Sequence, residues 1–133
     1  MNKIEHIGIA VKDLNTSNLV FEKLFGTPQY KVEEVESEGV KTSFFRVGHN
    51  KIELLEATDE NSPIAKFIEK RGEGIHHIAF DVDDIEAELK RLKGEGFVVL
   101  NETPKKGADN KLVAFLHPKS TNGVLIELCQ EIV

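Results

Sequence analysis

The sequence predicts an α+β fold of two tandem βαβββ modules that together form a curled mixed sheet. Three observations predict it. Short segments of alternating apolar and polar residues recur at strand length along the chain. Helix start and stop signals fall between them. The two halves also repeat each other. HIGIAVKDL (6–14) aligns without a gap to HIAFDVDDI (77–85) at an offset of 71 residues, and IELL (52–55) matches IELC (126–129) at an offset of 74. Val- and Ile-rich strands match one another cheaply. Two matches in the same order, at nearly the same offset, each keeping a polar residue on an apolar strand, mark a duplication instead.

Each element has a local reason. In Lys3 to Val11, Ile7, Ile9 and Val11 share one face and His6, Gly8 and Ala10 the other, the period of a half-buried strand. Asp13 caps a helix that runs to Phe25, and Gly26 and Pro28 stop it. Residues 28–37, 40–47 and 51–57 read as strands, with turns at Gly39 and at GHN (48–50). Ser62-Pro63 starts a helix, with serine as cap and proline at the first helical position, and Gly72 ends it. Ile75 to Val82 alternates again. Asp83 with Glu86 has the form of a capping box and opens a helix through Leu89 and Leu92, closed by Gly94 and Gly96. Strands follow near 97–100, 111–117 and 123–130. The expected layout is one domain over 1–133: a first module of about 1–58, a linker helix at 62–71 and a second module at 75–133.

Composition narrows the function. Apolar residues make up 40% and charged residues 30%, the balance of an ordinary globular chain. A formal net charge of −6 argues against nucleic acid as a partner, because phosphate backbones need a basic face. It leaves room for an anionic small molecule met by a local basic cluster. The one cysteine, Cys129, cannot form an internal disulfide, which fits a reducing cytoplasmic location. There is no signal-peptide pattern and no apolar run of membrane-spanning length, so no membrane partner is expected.

The repeated polar residues carry the chemistry. By strand parity His6 and His77 point away from their Ile/Val faces, and so do Glu53 and Glu127. The helices should then pack on the Ile/Val faces and leave the His and Glu side chains on the other. If that face curls into a cup, all four converge. Gly8, Ala10 and Ala79 beside the histidines leave open volume. Taken singly, each histidine can be a hydrogen-bonded structural residue and each glutamate an exposed carboxylate. Two imidazoles and two carboxylates related by a pseudo-twofold axis suit a divalent transition metal, with two octahedral positions left for substrate oxygens.

These residues resemble the vicinal oxygen chelate superfamily, whose paired βαβββ units form the glyoxalase/bleomycin-resistance-like fold. Within it, HIGIAVKDL, KIELLE, SPIAKFIEKRGEGIHHIAFDVDDI and HPKSTNGVLIELCQ are similar to the methylmalonyl-CoA epimerase family over essentially the whole chain. The resemblance implies a metal set of His6, Glu53, His77 and Glu127. It implies one divalent ion, cobalt first, with manganese, nickel, zinc or magnesium accepted. It also implies an acyl-CoA substrate and a homodimer. Epimerisation needs proton transfer on both faces of C2, for which Glu127 and Glu53 are the candidate catalytic carboxylates. The alternative is that both only hold the ion and another group or water carries the second proton. Some members carry a glutamate on the third strand where Thr42 stands here, so the second proton carrier is open.

Lys105, Lys106, Lys111 and Lys119 gather in the last third of the chain, and Lys119, Ser120 and Lys111 are candidates for the CoA phosphates. Solvated loop lysines are the plainer reading of each. His76 has the wrong parity for a ligand and reads as structural, as do His49 and His117 at turns. Cys129 shares the parity of Glu127 and reads as a small packed thiol. Other activities remain possible on the same fold: a glyoxalase-like lyase or isomerase acting on a glutathione adduct, or a non-catalytic protein that sequesters an antibiotic.

Overall fold

Asp13 turns strand into helix. Its backbone is still extended, its Oδ1 accepts from the Asn15 N–H at 3.1 Å and its Oδ2 from the Thr16 hydroxyl at 2.7 Å. Strand β1 (Lys3–Ala10) thereby becomes helix α1 (Leu14–Phe25), which ends where Gly26 takes a left-handed φ of 79°. The computed structural model describes residues 1–133, and the chain divides into two units: residues 6–76, and residues 1–5 with 77–133.

In the unit of residues 6–76 the strands run β2-β3-β4-β1, with β2 at Lys31–Val35, β3 at Val40–Val47 and β4 at Asn50–Ala57. β2 and β3 are antiparallel, as are β3 and β4; β1 and β4 are parallel, pairing Gly8 with Glu53 and Ala10 with Leu55. Helix α1 covers the Ile/Val face. Leu14, Phe21 and Phe25 pack on Ile9, Val11, Phe45, Ile52 and Leu54. The rings of Phe21, Phe25 and Phe45 form a triangle with centroids 5.6 to 6.2 Å apart, each pair worth about 0.5–1.5 kcal/mol beyond its buried area.

Helix α2 (Pro63–Arg71) starts where expected, with Ser62 Oγ accepting from Ala65 N–H at 3.2 Å. It does not follow the expected rule that helices take the Ile/Val faces. Its Ile64, Phe67 and Ile68 pack on Ala10, Val40 and Leu55, which share the His/Glu face. The reason is chemical: beyond Glu53 that face turns apolar at Leu55 and Ala57, and an apolar helix stripe closes it. The segment read as a linker is therefore part of this unit's core.

In the other unit the order is β5-β8-β7-β6, with β5 at Gly74–Asp81, β6 at Lys105–Lys106, β7 at Lys111–Leu116 and β8 at Ile126–Glu131. β5 and β8 are parallel, pairing Ala79 with Glu127, and β7 is antiparallel to β8. Helix α3 (Ile85–Gly94) buries Ile85, Leu89 and Leu92 against Val82, Ala114, Leu116 and Leu128. Its cap is Asp84, not Asp83: Asp84 Oδ1 accepts from Ala87 N–H at 3.1 Å. Val82 still donates to the Cys129 carbonyl, so the extended backbone lasts longer, and Asp83 instead accepts from Asn2 Nδ2 at 2.9 Å. Asp84 lies 71 residues after Asp13, so the repeat held the right answer that the local motif obscured.

The strands differ from expectation in places: the segment read as 28–37 is extended only over Lys31–Val35, and the one read as 123–130 runs Ile126–Glu131. The segment at 97–100 contributes only a bridge between Val99 and Leu116, and β6 supplies a pairing absent from the sequence reading. No helix is long and apolar enough to cross a membrane.

Candidate metal centre

Parity places each imidazole and carboxylate, and pairing register brings them together. His6 projects from β1 and Glu53 from β4, on one face; His6 Nδ1 lies 3.1 Å from Glu53 Oε2. In the other unit His77 projects from β5 and Glu127 from β8, and His77 Nε2 lies 3.1 Å from Glu127 Oε1. The two pairs are equivalent by the repeat, yet they use different ring nitrogens. All four residues are buried, at 5 to 6% exposure. A buried carboxylate needs a cation or a proton beside it. An imidazole nitrogen, a borderline donor, and a carboxylate oxygen, a hard one, stand together in each unit, a set that suits a divalent transition metal.

Two phenylalanines complete this picture, and the sequence reading missed both. Phe44 pairs with Glu53 across β3 and β4, and Phe115 with Glu127 across β7 and β8. Directly opposite residues share a face, so each glutamate has a phenyl ring beside it. The Phe115 ring meets His77 edge-on, with centroids 6.0 Å apart and planes at 84°, and so orients the imidazole. The available signal was the repeat: Phe44 and Phe115 are 71 residues apart, like the histidines. Glu5 was missed too. It is a carboxylate 3% exposed at the start of β1, on the parity assigned to the apolar face.

Thr42 lies on the His6/Glu53 face, opposite Leu55, and is 1% exposed. Its neutral hydroxyl is the wrong group to take a proton from carbon. His76 meets Phe67 of α2 edge-on at 5.0 Å. His117 Nδ1 accepts from Lys119 N–H at 3.0 Å and shapes the turn after β7. Cys129 is fully buried and lies 3.5 Å from the Phe80 carbonyl. Burial pushes its thiol pKa well above the ordinary value, and the Glu127 and Glu5 carboxylates push it further the same way, so it is no nucleophile.

The lysine cluster is divided. Lys111 opens β7 and pairs opposite Glu131, while Lys119 and Ser120 sit in the turn beyond Leu116 at the far end of that strand. Six strand residues at about 3.3 Å each put roughly 20 Å between them. The Lys119–Ser120 turn is at the Phe115/Glu127 end. Ser120 Oγ donates to the His117 carbonyl at 2.9 Å and accepts from Val98 N–H at 3.3 Å.

Comparison with known proteins bears on the family and the fold. Residues 5–115 match the Glyoxalase/Bleomycin resistance protein/Dioxygenase superfamily profile. The chain is 42% identical to an ethylmalonyl-CoA/methylmalonyl-CoA epimerase of Cereibacter sphaeroides, covering 98% of each. A Streptomyces coelicolor methylmalonyl-CoA epimerase variant in complex with 2-nitronate-propionyl-CoA superposes with a TM-score of 0.95 at 34% identity, covering 100% of this chain and 96% of that one. A methylmalonyl-CoA epimerase in complex with methylmalonyl-CoA and NH4+ gives the same TM-score, identity and coverage, 0.95, 34%, 100% and 96%. The repeated His/Glu pairs, the βαβββ units and full-length similarity lead to one conclusion: the chain belongs to the glyoxalase/bleomycin resistance/dioxygenase superfamily, in its methylmalonyl-CoA epimerase family.

Proposed function

We propose that the chain interconverts the R and S forms of methylmalonyl-CoA by moving a proton at C2, using one divalent ion held jointly by His6, Glu53, His77 and Glu127. The observation that carries this reading is the buried imidazole–carboxylate pair that occurs once in each unit. It stands beside 42% identity to a named epimerase across 98% of the chain.

C2 of that substrate lies between a thioester and a carboxylate, so its proton is acidic for a C–H bond. A divalent ion, when bound, supplies Lewis-acid stabilisation for the negative charge that develops on the substrate oxygens. The chain's own task is to position and to carry protons. Glu127 takes the proton from one face of C2 and Glu53 delivers one to the other. Each carboxylate has two oxygens, so one would hold the ion beside its imidazole while the other handles the proton. Gly8 and Ala79, paired in register with Glu53 and Glu127, are the small residues beside them. Thr42 supplies no base, and we assign the second proton to Glu53.

Cobalt is the ion we favour. Lys119 and Ser120, at the Glu127 end of β7, are better placed for the CoA phosphates than Lys111. A cytoplasmic homodimer completes the reading.

The test is deuterium incorporation at C2 of methylmalonyl-CoA in D2O, with and without chelator. Incorporation that stops on chelation and returns with Co2+ is the expected result. Absence of metal-dependent exchange would remove the epimerase assignment.

A further inference from the structure

Each half of the candidate centre needs a histidine and a glutamate from two parallel strands. No tight turn sets the register of such strands. Between β1 and β4 the chain makes α1, β2 and β3; between β5 and β8 it makes α3, β6 and β7. A slip of one residue would move a glutamate to the opposite face. Something besides the ladder must fix the register, and both units contain the same device.

In one unit the β1–β4 ladder ends where Val11 N–H donates to the Leu55 carbonyl at 2.9 Å. The next residue of β4, Glu56, then reaches across with Oε1 to accept the Leu14 N–H at 2.5 Å. Leu14 is the first residue of α1. In the other unit Val82 N–H donates to the Cys129 carbonyl at 2.9 Å, and Gln130 Oε1 accepts the N–H of Ile85, first residue of α3, at 2.8 Å. Glu56 and Gln130 each stand three residues after the glutamate of their unit. Leu14 and Ile85 each stand eight residues after the histidine. Both side chains are half-buried, on the helix-covered face.

The difference between the two has its own explanation. Helix α1 has no acidic residue in its first turn, whereas α3 has Glu86 and Glu88. A carboxylate near a helix N-terminus complements the macrodipole. Beside the Asp13 cap, Glu56 adds such a charge from a neighbouring strand. At α3 it is already present, and a neutral amide makes the hydrogen bond without like-charge repulsion.

We propose that Glu56 and Gln130 are positioning residues: each ties the glutamate strand to the start of the helix that follows the histidine strand, and so sets the His–Glu geometry for the ion. The functional part of this proposal rests on the metal reading above; the tether itself does not.

Co2+ titration of metal-free protein, with hydrogen exchange of the Val11 and Val82 amides, tests both parts. Glu56→Ala and Gln130→Ala should each lower Co2+ affinity about tenfold or more, as loss of an outer-shell support typically does. Each should also speed exchange at the amide of its own unit. Glu56→Gln keeps the acceptor and should restore most of the affinity; Gln130→Glu should be worse than wild type. Ser62→Ala, which removes a helix cap elsewhere, should lower Tm with Co2+ affinity unchanged. Unaltered exchange in both alanine variants overturns the tether. Faster exchange with unaltered Co2+ affinity, or an equal affinity loss in Ser62→Ala, overturns its positioning role. A wild-type protein that binds no Co2+ overturns the metal reading and with it that role, while the amide exchange still decides the tether.

Discussion

His77 Nε2 stands 3.1 Å from Glu127 Oε1, and the edge of the Phe115 ring meets the same imidazole. An imidazole held this way has little freedom to reorient, and it fixes the side from which the carboxylate oxygen meets it. If Glu127 and Glu53 serve opposite faces of C2, each amide variant should lose one direction of proton transfer. Glu127→Gln and Glu53→Gln should each lower epimerisation about 10²-fold or more, the usual contribution of a positioned general base. Glu53→Gln should still exchange the C2 proton of one epimer with D2O, and Glu127→Gln that of the other, measured by NMR from each pure epimer. Full exchange of both epimers by Glu53→Gln would assign the second proton to another group.

Gly39 is required by geometry. Its φ is 62°, and a Cβ there would lie 2.8 Å from Ser62 Cβ and 3.3 Å from Asp59 Cβ. Gly39→Ala combines left-handed strain of about 1–2 kcal/mol with a clash against the cap of α2. Urea unfolding should show a loss of at least that size, with the m-value unchanged.

Cys129 should be silent toward thiol reagents. Its thiol is fully buried and its pKa is raised by that burial, so a disulfide reagent at pH 8 should react only as the protein unfolds. The pH effect on stability has a definite sign. The folded state favours the neutral thiol, so stability is complete below the ordinary thiol value of 9.0 and declines as pH rises above it. Tm measured from pH 7 to pH 10 should fall more in wild type than in Cys129→Ala.

Glu88 and Arg91 form an (i, i+3) pair on α3 with a 3.0 Å contact. The Arg91 hydrogen bond holds the Glu88 carboxyl below its ordinary value of 4.5. Its stabilisation is therefore present above about that pH and is lost as pH falls through the lowered value. The pair is largely solvated, so Glu88→Gln should cost only about 0.3–0.5 kcal/mol at pH 7, and the difference from wild type should vanish at low pH. A thermal-denaturation series in pH would show it.

The sequence by itself determined the duplication, the face on which each strand residue lies and the starts of α1 and α2. Parity and capping are local: strand parity has a period of two, and capping needs a neighbour two or three residues away. His6, Glu53, His77 and Glu127 stood out only as a set, because each half of the repeat carries the same histidine and glutamate on its strands. Tertiary structure decided what depends on partners distant in the chain. Helix α2 went to the His/Glu face because Leu55, Ala10 and Val40 assemble an apolar surface only after three strands pair. Phe44 and Phe115 became neighbours of the glutamates through antiparallel register, which no single strand encodes. Lys111 and Lys119, eight residues apart in sequence, were separated because the segment between them is extended. The side chains of Glu56 and Gln130 looked like ordinary polar residues until folding brought a helix start within reach.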